Sequence, residues 1–358
     1  MTERVAIAVS LLFLWVLPAW AQTQPPAPSS APPPSAPPPP EYPIVRVGVL
    51  SYVQYDAELE NRDGYNVFDL TRGYINVTGQ LAQNVRFRIT PDIRRATSDS
   101  TLAGSLVLRV KYAFVELDNL KTARSWIRFG AHQTPWLDFE ESIDRYRVQG
   151  TMFSEREGLI PGSSDFGVGY FSPFGKYIEV QTGVYNGEGY AQTDVNKYKS
   201  AQGRLTLRPF AGRGAANGFR LSGFYSAGWY AADRPRNLGI VMGSFEATHL
   251  VTTLQYLNAL DNPSAIAPRD IRRSGSSGFI EIRQGIQGWA GLARVDYLDA
   301  DRAIGNNSQR RVIAGGAYWF VWPRSRIALV MTNEQVHYQR AAARLDENRL
   351  LVQTLVEF

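Results

Sequence analysis

Charged side chains of both signs are concentrated between Thr134 and Asp165, a stretch without the alternation of a β-strand. They include the carboxylates of Asp138, Glu140 and Glu141 and the guanidinium groups of Arg145 and Arg147. Opposite charges that face each other across a narrow opening select ions at short range. Structureless loops longer than about 12–15 residues are usually functional or disordered. The stretch therefore predicts a charge-lined site, with a mobile surface loop or structural salt bridges as the alternatives.

A second group of cations lies in segments that alternate between apolar and polar residues. In 85–90, for example, Val, Phe and Ile take the odd positions and two arginines the even ones. If these segments are strands of a β-barrel, a soluble barrel would bury their apolar face inside. It could not also hold these cations without an aqueous lumen. Acidic side chains of the Thr134–Asp165 stretch and these cations would then set up a field across the lumen. The cations are Arg86, Arg88, Arg109, Lys111 and Arg128.

Catalytic and metal chemistry find little support in the sequence. The three histidines are His132, His249 and His337, and none has a serine beside it in a recognisable catalytic arrangement. The chain has no cysteine, and no His/Asp/Glu spacing suggests a metal site. The net charge of +5 is too diffuse to indicate nucleic-acid binding. We therefore predict no catalytic residue, cofactor or metal, while an outer-membrane barrel enzyme and a non-conducting structural or adhesive barrel remain as alternatives.

Period-two alternation between turn residues predicts about sixteen strands and an all-β fold, a transmembrane antiparallel β-barrel. The face pattern continues through Leu106–Phe114, where the even positions are apolar, so that Tyr112 and Phe114 are expected on the apolar face. The predicted strands are 44–57, 66–78, 84–94, 106–117, 125–133, 166–172, 176–185, 200–208, 218–230, 239–247, 249–258, 277–286, 288–298, 311–321, 326–339 and 348–358.

The connections between these strands alternate between long and short, as in outer-membrane barrels with short periplasmic turns. Tryptophans near strand ends fit the aromatic girdles at membrane interfaces; they are Trp126, Trp229, Trp289, Trp319 and Trp322. The predicted long connections are 58–65, 95–105, 134–165, 186–199, 231–238, 259–276, 299–310 and 340–347.

The two ends of the chain carry targeting signals. Residues 1–21 read as a secretory signal peptide, with Arg4 before an apolar core and Ala19-Trp20-Ala21 as the cleavage pattern. Residues 22–43 are Pro-rich and predict an extended periplasmic linker. The barrel is expected over 44–358, and its last strand ends on Phe358, which resembles the signal read by the outer-membrane assembly machinery.

Several short motifs between about residues 125 and 190 resemble the phosphate-selective porin O and P family of sixteen-stranded outer-membrane channels. They occur in the same order as in the family, and the rest of the chain matches only in strand pattern. The motifs are Ile127–Trp136, Met152-Phe153-Ser154-Glu155-Arg156, Asp165-Phe166-Gly167-Val168 and Tyr185-Asn186-Gly187-Glu188-Gly189.

The resemblance implies a passive outer-membrane porin, a homotrimer, in which the loop after strand five folds inward and constricts the pore. It also implies small hydrophilic or anionic solutes, phosphate-like or organic, guided by basic residues. Outer-membrane lipid and lipopolysaccharide are the expected surroundings. The mixed sign of the Thr134–Asp165 stretch, with more acidic than basic side chains, leaves cation preference open.

Overall fold

The computed structural model describes residues 40–358 apart from 62–63, 97–100, 121 and 267. The predicted signal peptide, and the predicted linker as far as residue 39, lie outside the described residues. The unit formed by Tyr42–Phe358 contains all the strands discussed below.

Sixteen antiparallel strands form a closed barrel in this described part of the chain, as the alternation predicts. Each strand pairs with the next along the chain, and β16 pairs with β1, where the backbone N–H of Val49 donates to the carbonyl oxygen of Phe358 at 2.8 Å. Closure leaves no strand edge unpaired. The strands are β1 Ile44–Glu58, β2 Asn66–Ala82, β3 Val85–Arg95, β4 Leu106–Asp118, β5 Trp126–Gln133, β6 Ser164–Phe174, β7 Ile178–Tyr185, β8 Ser200–Leu207, β9 Phe219–Ala231, β10 Arg234–Glu246, β11 Leu250–Asp261, β12 Ile271–Arg283, β13 Gly288–Asp299, β14 Ser308–Trp322, β15 Ser325–Tyr338 and β16 Glu347–Glu357.

The outward face of the barrel is apolar. Side chains such as Phe129 and Leu254 are about 70% exposed there, at 71% and 69%. A water-facing sheet would carry polar residues at these positions, so this surface needs a hydrocarbon environment. The alternate positions point to the interior, and on β1 to β5 they are largely polar or charged.

One predicted long connection is wrong. Residues 231–238 were expected to form a loop, but β9 and β10 are joined by the two-residue turn 232–233. The polar run that suggested a loop, including Arg234 and Arg236, continues the strand. Pro235, which has no N–H to donate, is accommodated by a register shift in the β9–β10 ladder.

The predicted face of β4 is also wrong beyond Val110. The β3–β4 register shifts between Thr90 and Pro91, so that Thr90 faces Tyr112 and Pro91 faces Val110, with Lys111 as the extra residue of a bulge. Beyond the bulge Tyr112 and Phe114 are buried, while Val115 becomes exposed. Two consecutive side chains, Lys111 and Tyr112, are therefore buried together.

The aromatic girdle is smaller than the sequence predicts. Trp229, Trp289 and Trp322 lie exposed on the outward face. Trp319 is fully buried, and Trp126 shares the interior face of β5 with Arg128, whose guanidinium carbon lies 4.0 Å from the centre of its ring.

Helical structure in the described residues is confined to short pieces. The β5–β6 segment, defined here as residues 134–163, contains α1 Leu137–Ile143 and α2 Phe153–Arg156. Gly214–Gly218 and Arg340–Ala342 form single 3₁₀ turns. None of the described helices is long and apolar enough to cross a membrane.

Candidate functional site

The β5–β6 segment makes hydrogen bonds with strands that are distant in sequence. The guanidinium of Arg145 donates to the carboxylate of Glu281 on β12 at 2.9 Å, and Gln149 donates to Glu334 on β15 at 3.0 Å. On β16, Gln353 donates to the carbonyl oxygen of Val148 at 2.7 Å. These bonds fix the segment against β12, β15 and β16. Arg204 of β8 and Gln255 of β11 add further bonds, to Pro135 and Glu140.

Apolar packing fixes the same segment. The ring centre of Trp136 lies 5.6 Å from that of Phe224 on β9, and Tyr146 lies 5.8 Å from Trp319 on β14. The strands supply apolar interior positions to match, and fully burying one such side chain contributes roughly 1.5–3 kcal/mol. The buried cluster includes Leu137, Ile143, Met152, Phe153, Ile240, Met242, Leu257 and Ile313.

The interior of β2 to β4 is different, because several of its cations have no carboxylate partner in the described part of the chain. Lys111, only 2% exposed, donates to the hydroxyl of Tyr74 at 2.5 Å. Arg72 donates to the same hydroxyl. Arg88 donates to Asn76 at 2.7 Å and lies 4.2 Å from the ring centre of Tyr112. Lys111 is buried, whereas Arg72 and Arg88 are half-buried. A cation that loses water without gaining a counter-charge is costly, so these groups favour an anion nearby.

The register aligns Arg46 with this wall. Arg46 on β1 faces Thr78 on β2, and Thr78 faces Arg88 on β3. Neighbouring strands lie about 4.8 Å apart, so the two arginines flank the threonine hydroxyl at roughly 10 Å between their backbones. A cavity of about 460 Å³ is lined by neutral residues, by the carboxylate of Glu116 and by four arginines, Arg46, Arg86, Arg88 and Arg128.

The other predicted cations of this wall are paired. Arg109 binds Asp92 at 3.1 Å and donates to the hydroxyl of Tyr190 at 2.5 Å. Arg86 binds Asp118 at 2.6 Å, and Arg128 binds Glu116 at 2.6 Å. Their charges are therefore largely balanced, unlike those of Arg72, Arg88 and Lys111.

The predicted acidic residues of the β5–β6 segment do not all face the same part of the barrel. Asp138 is exposed and acts electrostatically on Arg128, Arg88 and Lys111, so it faces the basic wall. Glu141 binds Arg147 at 2.9 Å, and Arg147 also binds Glu155 at 2.8 Å. The predicted Arg147 is therefore held between two carboxylates of its own segment.

Glu140 and Arg145 point away from the basic wall. The Glu140 carboxylate accepts from Gln255 at 2.5 Å, and Asp144 lies 3.8 Å from Arg294 of β13. Burial raises the pKa of Glu140 to about 7 and that of Asp144 to about 6, although Arg294 opposes both shifts. Arg145 stacks over Trp319 at 4.1 Å. These groups belong to the contact between the segment and β11 to β14.

The histidines lie apart from one another. His132 is buried with its Nδ1 3.0 Å from the carbonyl oxygen of Gln133, and His249 contacts the carbonyl oxygen of Arg283. His337 lies at the barrel exterior, 2.5 Å from Asp346. Within the described residues there is no group of three or more His, Asp or Glu side chains arranged to hold a metal ion.

Sequence reasoning missed Arg46, Arg72 and Tyr74. The alternation of β2, with polar residues at 72, 74, 76 and 78, already assigns Arg72 and Tyr74 to the interior. Their importance for the basic wall depends on which of its cations have no carboxylate as an ion-pair partner. That property depends on the register of β1 to β4 and on the bulge at Lys111.

Solved structures with the same architecture are numerous, although no protein-family model and no curated protein matches the sequence. An anion-selective porin from Comamonas acidovorans is 12% identical, with 88% of this chain and 100% of that chain covered and a TM-score of 0.64. OmpF of Salmonella typhi, in complex with daunomycin, is 9% identical over 88% and 97%, with a TM-score of 0.59. A loop-deletion mutant of OmpT, an outer membrane protein of Vibrio cholerae, is 12% identical over 89% and 100%, with a TM-score of 0.60. At such identities the likeness shows a porin fold and nothing finer.

Proposed function

We propose that the protein is an outer-membrane porin through which small hydrophilic solutes diffuse passively. The observation that carries this proposal is the division of the barrel's two faces. The outward face is apolar around the closed sheet, whereas β1 to β5 present charged and polar side chains to the interior. A barrel of this kind has lipid outside and water inside. The likeness to solved porins supports the same function.

We further propose that the β5–β6 segment narrows the lumen from one side. Its bonds and apolar contacts lie mainly on β8 to β16, and the buried apolar cluster also reaches Tyr52 of β1. The wall formed by β1 to β5 is left to line the passage. Asp138 of the segment then faces Arg88, Lys111 and Arg128 across it, which gives the opening a transverse field.

Anion preference is the finer part of the proposal. Arg46, Arg72, Arg88 and Lys111 form no ion pair with a carboxylate of the described residues, whereas Glu141 is neutralised by Arg147. Tyr74 accepts hydrogen bonds from both Lys111 and Arg72, so its own proton is free to be donated to an oxyanion. Phosphate-like and organic anions fit such a set of donors. A homotrimer, with the N-terminal linker in the periplasm, completes the assembly that we propose.

Single-channel recording of the refolded protein in a planar bilayer tests the channel. We expect stepwise, ohmic conductance from preparations whose folded barrel shows a heat-modifiable shift on electrophoresis. Folded, heat-modifiable protein that inserts without passing current would overturn the channel proposal. It would support instead the non-conducting or enzymatic alternatives.

A further inference from the structure

Tyr190 brings the β7–β8 connection, defined here as residues 186–199, against the basic wall. Its hydroxyl donates to the carboxylate of Asp92 on β3 at 3.2 Å and accepts from Arg109 on β4 at 2.5 Å. The guanidinium carbon of Arg109 lies 4.4 Å from the centre of the Tyr190 ring. A tyrosine from a connection therefore bridges two strands of the wall, at the end of the barrel that carries the long connections.

Lys111 lies two residues beyond Arg109 on β4, further from that end of the barrel. Its ammonium nitrogen is 5.9 Å from the ring centre of Tyr190, and 4.6 and 5.2 Å from those of Tyr74 and Tyr112. Because only 2% of its surface is exposed, Lys111 cannot touch a solute while these three rings stay in place. An anion can reach this cation only if one of the groups that cover it moves.

Tyr190 is the least firmly held of the groups around Lys111. Tyr74 and Tyr112 are buried on β2 and β4, whose backbones are fixed by hydrogen bonds to the neighbouring strands. The β5–β6 segment, which also lies near Lys111, is held by its buried apolar cluster. Tyr190 is only half-buried and belongs to a connection, the kind of element that opens locally at the lowest free energy.

The backbone before Tyr190 allows its ring to change direction. Gly187 and Gly189 have φ angles of +109° and +80°, a region that glycine adopts at little cost. A Cβ at Gly189 would lie 3.1 Å from the carbonyl oxygen of Pro161, so this turn favours glycine for its small size as well. Permissive residues directly before the ring are suited to absorb the change in backbone angles when the ring moves.

We propose that Tyr190 is a movable cap that controls the access of anions to Lys111. In the capped state the bonds of its hydroxyl to Asp92 and Arg109 hold the ring over the ammonium group. Because only the uncapped fraction can bind an anion, the cap lowers the apparent anion affinity of the site. A weakened site lets an anion leave as well as enter, which conduction requires. This inference rests on the anion preference proposed above and names the residue that regulates it.

Acetylation of Lys111 by a water-soluble N-hydroxysuccinimide ester tests the cap without any measurement of current. The refolded full chain is labelled at about pH 8, and peptide mass spectrometry compares the rate at Lys111 with that at the exposed Lys176. The variants are Tyr190→Ala and Tyr190→Phe. Tyr198→Ala is the matched control, because Tyr198 lies on the same connection and its ring is 5.6 Å from the ammonium of Lys197. Heat modifiability shows that each barrel is folded.

We expect Lys111 to be labelled at least about tenfold faster in Tyr190→Ala than in the wild type, since labelling requires the uncapped state. Tyr190→Phe keeps the ring but loses the bonds of the hydroxyl, so its labelling rate should be intermediate. Tyr198→Ala should match the wild type. Equal labelling of Lys111 in the wild type and in Tyr190→Ala, or equal acceleration in Tyr198→Ala and Tyr190→Ala, would overturn the cap.

Reversal potentials in a KCl gradient give a second readout of the cap. Tyr190→Ala should raise the chloride-to-potassium permeability ratio about twofold or more, because one more cation then faces the passage. The same change in a Lys111→Gln background should leave the ratio unaltered. A rise of equal size in both backgrounds would overturn the cap, since the ring would then only narrow the pore. A folded wild type that passes no current would contradict the porin proposal, while the labelling rates still decide the cap.

Discussion

Lys111 is the buried cation on which the proposed anion preference depends most strongly. Its ammonium group contacts only the hydroxyl of Tyr74 among described hydrogen-bond partners, with the rings of Tyr74 and Tyr112 within 5.2 Å. We expect Lys111→Gln to lower the chloride-to-potassium permeability ratio about twofold to fivefold. One unit charge acting at about 4 Å through water contributes roughly 1 kcal/mol, which corresponds to that range. Reversal potentials in a KCl gradient measure the change.

Lys176→Gln is the matched control for this substitution, because Lys176 is exposed in the short connection between β6 and β7. It should leave the ratio unchanged. An equal shift in both variants would assign the effect to overall charge rather than to the position of Lys111.

Glu140 gives a pH-dependent prediction. Burial raises its folded pKa from the ordinary 4.5 to about 7, so the folded state holds the proton more tightly than the unfolded state. The contribution of this group to stability is therefore complete below about pH 4 and is lost as the pH rises through about 7. We expect Glu140→Gln to raise the free energy of unfolding by about 2–3 kcal/mol at pH 8 and to have little effect at pH 4.

Denaturant unfolding of the barrel in lipid vesicles at the two pH values checks this. Glu60→Gln, at an exposed position, should have no effect at either pH. A Glu140→Gln variant less stable than the wild type at pH 8 would contradict the account, since it would mean that the carboxylate is required as a partner for Arg294.

At the residue scale the sequence predicted the charged groups but not which of them are free. Arg86, Arg109 and Arg128 each have an acidic partner, and Arg145 and Glu140 are used to fix the β5–β6 segment. Pairing depends on residues brought together from distant parts of the chain. Arg145, for example, binds Glu281, a partner that local pattern cannot supply.

At the scale of elements, the β5–β6 segment depends on apolar anchors. Phe153 is 1% exposed and packs over Gly275 of β12, where an added Cβ would lie 2.7 Å from the Phe153 ring. We expect Phe153→Ala to weaken this docking by about 3–5 kcal/mol, the usual cost of removing a buried phenylalanine. Limited proteolysis with trypsin should then cut the segment at Arg145, Arg147 or Arg156 while the barrel stays intact.

Phe129→Ala is the control, because the Phe129 side chain is 71% exposed on the outward face. The wild type and this control should both resist cleavage. Cleavage of the wild type at the same rate as the Phe153→Ala variant would show that the segment is a mobile loop.

The strands were predictable from the sequence because period two is a local property, and all sixteen are present, although β10 and β12 begin five and six residues earlier than predicted. Two features of the strands were not predictable from the sequence. The bulge at Lys111 inserts one residue without breaking the apolar–polar alternation, so the face of Tyr112 could not be read correctly. The turn at 232–233 could not be recognised, because the polar residues that follow it belong to β10 rather than to a loop.

For the whole molecule, the even strand number and the mostly alternating connections predicted a closed barrel. The 208–218 connection departs from the alternation, since it lies between two shorter neighbours at its end of the barrel. Solved outer membrane proteins share this architecture at 9–12% identity, which indicates that the pattern of faces and turns, rather than particular residues, specifies the fold. Selectivity depends on particular residues and has to be tested separately.

The reversal potential of the wild-type protein in a planar bilayer, under a tenfold KCl gradient at pH 7, tests the central claim most directly. The unpaired cations of β1 to β4 predict a potential displaced toward the chloride equilibrium potential. A potential displaced toward the potassium value would contradict the claim and would assign control of the pore to Asp138 and Glu141.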